Sequence, residues 1–226
     1  MNKKYILLFL SFVSLFLFVV LSKYEDRSVI RNLDFAVTVK VQEKIDKSAH
    51  LRLTSFVDTM MTGATFFASP EFTSIVVLFL TIILFKKYRW YAMSIPIAFL
   101  CIVGIELYAK SIVHHPSPPF SMIKLPTSIF PANYINEQFS YPSGHAARAI
   151  FLAILSFFFL RKKLLLGILL VSYVLFVSVS RIYLGHHWFS DVIGGALLAS
   201  GFAFAVLMFA PVDGQDKPHY NRKVHE

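Results

Sequence analysis

The sequence predicts an all-α fold: a six-span transmembrane helical bundle with a polar candidate site on its outer side and an interfacial amphipathic helix. Three observations carry this expectation. Of 226 residues, 56% are hydrophobic, 24 are Phe and only 15% are charged, whereas a soluble domain carries about 25% charged residues. The apolar residues fall into runs of roughly 20, the length that crosses a bilayer. The 22 Lys and Arg exceed the 13 Asp and Glu by a formal charge of +9. These cations sit in short clusters between the apolar runs, as in cationic loops flanking membrane helices. The composition excludes a soluble globule and a disordered chain, and the pattern implies a bilayer rather than a nucleic acid as partner. Cys101 is the one cysteine; it cannot form an intramolecular disulfide or a zinc framework and is expected as a packing residue.

Taken in order, residues 1–22 read as a first transmembrane anchor, Tyr5–Ser22 behind Met1-Asn2-Lys3-Lys4. A basic start and apolar centre also suit a signal peptide, but the exit Leu21-Ser22-Lys23-Tyr24-Glu25 lacks a small-x-small cleavage site. Residues 23–61 form an outer segment. Within it Val29, Leu33, Phe35, Val37, Val41 and Ile45 recur largely at helical spacing with Lys40, Glu43, Lys44 and Lys47 between them. That is an amphipathic helix, lying on the outer interface or packed over the bundle mouth. Residues 62–210 hold five further spans near Thr62–Phe85, Trp90–Ala109, Ser143–Leu160, Leu164–Ser180 and Phe189–Ala210. The first of these is weakened by Pro70 and Glu71. Residues 211–226 are a polar, flexible cytoplasmic tail.

Lys3-Lys4, Lys86-Lys87-Tyr88-Arg89, Arg161-Lys162-Lys163 and Arg222-Lys223 all fall on one side of a six-span chain. The positive-inside rule makes that side cytoplasmic, with both termini inside.

Three polar clusters then lie at the outer ends of the spans. They are Lys110 with His114-His115-Pro116-Ser117-Pro118, Tyr141-Pro142-Ser143-Gly144-His145, and Ser180-Arg181 with His187 and Asp191. Polar groups near hydrocarbon are costly, so a convergent set marks a site. His187 and Asp191, four apart, share one face of a first helical turn. A carboxylate on one imidazole nitrogen leaves the other free as a nucleophile. Arg181 offers a planar fork for phosphate oxygens. Ser143 reads as the N-cap of a helix whose amides bind an anion; Gly144 lets an oxyanion approach closely. His145 stands beside that anion as a general acid, and Glu106 can hold Lys110 from one turn earlier. Singly, each has a plainer reading: Lys110 and Arg181 as snorkelling anchors, a histidine as a helix-end residue.

The second and third clusters match motifs in full, and on them the sequence resembles the type 2 phosphatidic acid phosphatase and haloperoxidase superfamily. That family's motifs are K-x6-R-P, P-S-G-H and S-R-x5-H-x3-D. Pro142-Ser143-Gly144-His145 gives the second; Ser180-Arg181, His187 and Asp191 give the third. The first departs: from Lys110 the family's Arg falls on Ser117, before the expected Pro118. The resemblance implies a cofactor-free, metal-independent phosphatase. In it His187 forms a phosphohistidine, Asp191 orients it, and His145 protonates the leaving oxygen. Lys110, Ser143, Gly144 and Arg181 hold the phosphate. The implied partner is a lipid phosphate in the outer leaflet of a cell membrane, undecaprenyl diphosphate first, then phosphatidylglycerol phosphate, phosphatidate or lipid A phosphate. A vanadate haloperoxidase and a non-catalytic membrane protein are the competing readings. The sequence is silent on oligomeric state.

Arg148 is three residues past His145 and four past Gly144, so it can share their face. The helix dipole and the lipid both disfavour a cation there. Either a bound phosphate, for which Arg148 then supplies the charge that Ser117 lacks, or an acidic partner such as Glu137 must offset this.

Overall fold

The structure, a computed structural model, describes residues 3–47, 51–124, 138–160 and 164–210. Glu137, Arg161-Lys162-Lys163 and the tail 211–226 lie outside the described residues. The elements run α1 (Lys3–Tyr24), α2 (Ser28–Lys47), α3 (Leu51–Phe66), α4 (Pro70–Tyr88), a 3-10 turn (Arg89–Met93), α5 (Ser94–Ile112), a second 3-10 turn (Phe120–Met122), α6 (Gly144–Phe159), α7 (Leu164–Tyr183) and α8 (Phe189–Met208). Among the described residues there is no strand, only one isolated bridge between Pro116 and Phe139.

Among the described residues, four stretches are long and apolar enough to cross a membrane: Lys3–Tyr24, Pro70–Ile112, Leu164–Tyr183 and Phe189–Met208. The second contains α4 and α5, divided at Arg89, whose φ of 42° turns the chain. Gly144–Phe159 is a shorter apolar helix. Their outward faces are apolar: Phe9, Phe12, Ile75, Phe79, Leu100 and Leu169 are all exposed, as suits helices that satisfy their own backbone and meet lipid. Cys101 is exposed on α5, which corrects the expectation of a packing role; its neighbours Phe99 and Ile102 are the buried ones.

The apolar run expected as one span over 62–85 is divided. α3 ends at Phe66 and α4 begins at Pro70. Pro70 and Glu71, read above as flaws in a span, are the start of a helix: Ser69 accepts the Phe72 N–H at its hydroxyl, Pro70 occupies the first turn and Glu71 sits at the positive dipole end.

Small residues bring α6 and α8 together. Ala146, Ala147, Ala149, Gly194, Gly195 and Ala199 are all buried, which lets the two backbones approach closely. α1 lies along α8, where the Ser11 hydroxyl donates to the Gly201 carbonyl at 2.8 Å. Phe151, Leu155, Leu198 and Ile102 fill the space between α5, α6 and α8.

α2 packs on the bundle rather than merely lying at its edge. Val37, Val41 and Ile45 face Tyr183, Leu184, Ile182 and Val192. The Gln42 amide donates to the Met122 and Tyr183 carbonyls at 2.8 and 2.9 Å. Val29, Leu33 and Phe35 remain exposed, so one apolar flank of the helix packs on the bundle and the other faces outward.

The bundle has two distinct ends. Lys3 lies over the Phe158 ring, and the Tyr91 hydroxyl donates to the Val206 carbonyl, at one end. Lys110, Ser143, Arg181 and His187 fall at the other, where α5 and α7 finish and α6 and α8 begin.

Packing at Gly195 predicts a stability difference. A Cβ there collides with the Ser143 carbonyl, whereas one at Gly104 meets nothing within 4 Å. Gly195→Ala should destabilise the detergent-solubilised protein by about 1–3 kcal/mol, and Gly104→Ala should leave it equal or slightly more stable; thermal unfolding compares the two.

Candidate active site

Two loops and two helix starts build the site. After α5 the chain runs extended, so that Ser140 N–H donates to the His115 carbonyl at 3.1 Å and Ser117 N–H to the Gln138 carbonyl at 3.3 Å. This pairing sets the first polar cluster against the second. The Trp188 indole N–H donates to the Pro116 carbonyl at 2.7 Å and ties both to the third. The Tyr141–Pro142 peptide is cis. The fully buried Tyr141 ring stacks on Phe18 at 5.9 Å, and its hydroxyl accepts from Ser22 at 3.2 Å.

Ser143 occupies the N-cap position of α6, as expected, and its backbone N–H donates to the Asp191 carbonyl at 2.9 Å. Its hydroxyl makes no capping bond and is buried with no hydrogen-bond partner among the described residues. A buried hydroxyl left over this way fits an incoming acceptor oxygen.

His187 arrives on a tight turn. Its N–H and that of His186 both donate to the Arg181 carbonyl, at 3.2 and 3.0 Å. The turn needs Gly185, whose φ is 68° and whose missing Cβ leaves room for the Met122 carbonyl. His187 Nδ1 then faces Asp191 Oδ2 at 3.3 Å, and the same oxygen accepts the Trp188 N–H at 2.8 Å. With Nδ1–H on the carboxylate, Nε2 carries the lone pair. Burial depresses the His187 imidazole below its ordinary pKa; the Asp191 bond opposes this, and the Arg181 and Lys110 charges add to it. Burial and the Arg181 and His187 charges hold His186 down at about 2. Both are neutral near pH 7.

His145, in the first turn of α6, lies near Arg181, Arg148, His187 and His186. Arg181 is buried, with Nη1 donating to the Thr65 hydroxyl at 3.4 Å.

The expected Glu106–Lys110 pair is present at 3.3 Å. The same carboxylate takes Arg148 Nη1 at 2.9 Å, and Arg148 Nε donates to the Ala68 carbonyl at 3.2 Å. The acidic partner of Arg148 is therefore Glu106, 42 residues away. Its carboxylate lies against the Cα of Gly144, where a side chain would stand. Lys110, Glu106 and Arg148 together leave one positive charge beside the N-terminus of α6.

The structure thus brings Lys110, Ser143, Gly144, His145, Arg148, Arg181, His187 and Asp191 to one end of the bundle, with Ser117 in the loop after α5. Two groups that sequence reasoning did not assign join them. His115 donates to Asp191, and Asp34 of α2 lies behind His115. The one available signal for Asp34 was its place beside Val37 and Val41 on the apolar side of an amphipathic helix. A neutral nucleophilic imidazole, an adjacent second imidazole and a cationic, hydroxyl-lined N-terminus can together attack, protonate and hold a phosphoryl group.

Known proteins carry a similar arrangement of helices. The family model described as the PAP2 superfamily matches residues 88–214. The chain is 26% identical to the phosphatidylglycerophosphatase B of Bacillus subtilis (strain 168) over 215 residues, 91% of this chain and 94% of that protein. It is 30% identical to an undecaprenyl-diphosphatase of Sulfolobus acidocaldarius over 123 residues, 54% of this chain and 57% of that protein. Among solved structures, the transmembrane PAP2-type phosphatidylglycerolphosphate phosphatase of Bacillus subtilis superposes with a TM-score of 0.70 at 20% identity, covering 87% of this chain and 94% of that one. Aquifex aeolicus LpxE gives 0.55 at 24%, covering 77% and 96%.

The Glu106 link makes a prediction. Arg148→Ala leaves a buried carboxylate with Lys110 alone and should cost about 3–5 kcal/mol, as for other buried pairs broken on one side. Arg148→Met combined with Glu106→Gln should recover most of that. Thermal unfolding of the three proteins in detergent measures both effects.

Proposed function

Because the chain belongs to the PAP2 superfamily, and its apolar helices and relatives are those of membrane lipid phosphatases, we propose that it hydrolyses a lipid phosphate through a phosphohistidine on His187. The observation that carries this is the His187–Asp191 contact at 3.3 Å, which turns Nε2 into a lone-pair donor. That nitrogen attacks phosphorus, the bond to the leaving oxygen breaks, and His145 gives that oxygen its proton. Water then attacks the phosphohistidine and gives a proton back to His145; the N–P bond breaks and orthophosphate departs. Lys110, Arg181, the Ser143 hydroxyl and the Gly144 amide hold the equatorial oxygens, where transition-state charge is spread. Arg148 contributes its charge through Glu106 and Lys110. The proposed reaction needs no metal, because His187, His145 and the cationic groups around them supply the nucleophile, the acid and the charge.

The proposed substrate is undecaprenyl diphosphate, which the Sulfolobus relative's name also carries. Phosphatidylglycerol phosphate is the second reading, favoured by the Bacillus relative that matches almost end to end. The proposed topology has six crossings, with α4 and α5 separate and α6 the short one. Both termini are cytoplasmic, α1 is a retained anchor, α2 lies at the outer interface and the site faces outward. Arg89 and the lysines at the end of α4 support it, since they lie at the opposite end from Lys110.

His187→Ala and His145→Ala should each lower phosphate release from these lipids by at least about 100-fold, with EDTA without effect. Restoration by Mg²⁺ after chelation would contradict the mechanism. Since His187 attacks as the neutral form and its pKa is depressed, activity should persist below pH ~6.5, the ordinary histidine value. It should fall only as acid protonates the ring through its lower value; a pH series of kcat/KM reads this. Ser121→Cys in a Cys101→Ser background should react with an impermeant thiol reagent in intact cells, and labelling confined to lysed cells would reverse the topology.

A further inference from the structure

The Asp191 carboxylate is shared between two histidines. Oδ2 takes His187 and the Trp188 N–H; Oδ1 takes Nδ1 of His115 at 2.9 Å. The other nitrogen of His115, Nε2, faces Asp34 Oδ2 at 3.7 Å. Asp34 is in turn fixed by Ser190, whose N–H and hydroxyl each donate to it at 2.7 Å. The four groups form a row, Asp34–His115–Asp191–His187, drawn from α2, the loop after α5, α8 and the turn before it. None is more than 5% exposed.

Two buried carboxylates facing one imidazole are tolerated only if a charge lies between them. A carboxylate on each ring nitrogen makes both nitrogens donors, which is the imidazolium form. The loop holds the ring there: the His115 carbonyl takes Ser140 N–H, and the Trp188 indole clamps the next carbonyl. Resting on His187 as nucleophile, we propose that His115, braced by Asp34, is a positioning residue for phosphoryl transfer: as an imidazolium it fixes Asp191 so that Oδ2 meets His187, and it balances the second buried carboxylate.

The groups facing His115 are Asp34 on α2, Asp191 on α8, Glu25 in the turn after α1, and the Tyr141 ring, edge-on at 6.5 Å. Burial pulls the His115 pKa down. The Asp191 bond and the charges of Asp191, Asp34 and Glu25 outweigh it and raise the value above that of an ordinary histidine. Burial also raises the Asp34 carboxyl, against its Ser190 bonds and the His115 charge. Both shifts keep a proton on the pair. The His115 contribution is thus present at low and neutral pH and lost as pH rises through the raised value.

The test is a pH–rate series on the purified full chain with a lipid phosphate in detergent, for wild type, His115→Gln, Asp34→Asn and His187→Ala. Gln keeps a donor for Asp191 but carries no charge. His115→Gln is expected to lower kcat about 10- to 100-fold, the scale of one charge-assisted hydrogen bond, with KM unchanged, and to move the alkaline limb, leaving only the part set by the His145 acid. Asp34→Asn is expected to move that limb to lower pH. A merely structural role lowers the active fraction and leaves the limb where it was, so a lowered kcat with an unmoved limb, or wild-type kcat in His115→Gln, overturns the proposal. If His115→Gln does not fold, the Asp34→Asn limb decides alone: a downward shift supports the proposal and an unmoved one overturns it. Activity in His187→Ala would instead sink the nucleophile assignment, whereas an inactive His187→Ala beside a normal His115→Gln sinks only this inference.

Discussion

The Asp191 carboxylate is the point on which the site depends. Its two oxygens accept from His187, the Trp188 backbone and His115, and its own carbonyl accepts the Ser143 N–H. One residue in the first turn of α8 therefore orients His187, ends the loop that carries it, anchors the loop after α5 and sets where α6 begins. Because it is fully buried, each unmade bond would leave an uncompensated charge, so the surrounding geometry is tightly constrained.

The bundle treats its other buried charges alike. Lys110, Glu106 and Arg148 alternate in sign, as do Asp34, His115 and Asp191. In both rows a central group of one sign lies between two of the other. The central carboxylate of the first row leaves an excess positive charge next to the N-terminal amides of α6, and the central imidazole of the second leaves an excess negative charge next to His187. An anion is drawn to the former and a developing imidazolium is steadied by the latter.

What the sequence made legible were local relations. His187 with Asp191, and Glu106 with Lys110, are one helical turn apart, and helix geometry alone brings them together. The apolarity of the helices was equally plain, though not every boundary: the run over 62–85 is two helices. What stayed hidden was non-local. Arg148 was matched to a bound phosphate or to an acid such as Glu137, because its partner Glu106 lies 42 residues upstream on another helix. His115 stood in the first polar cluster without a role because nothing in its spacing points to Asp191, 76 residues on. Pro70 was ambiguous for a different reason: proline interrupts a helix or begins one, and only the neighbouring Ser69 and Glu71, weighed together, distinguish the two. Cys101 shows that an apolar run in a membrane helix does not say which face looks inward.

The junction between α3 and α4 bears on how the chain is assembled during synthesis. Pro70 has no N–H to offer the carbonyls that precede it. The Phe67 and Ala68 carbonyls take their donors from the Tyr173 hydroxyl and Arg148 Nε, 106 and 80 residues further along the chain. A ribosome delivers Arg148 only once α6 has begun, and Tyr173 only after all of α6 and half of α7. Until then the two carbonyls must be kept hydrated, so the α3–α4 corner cannot settle when it is made and waits at the membrane for partners still to come.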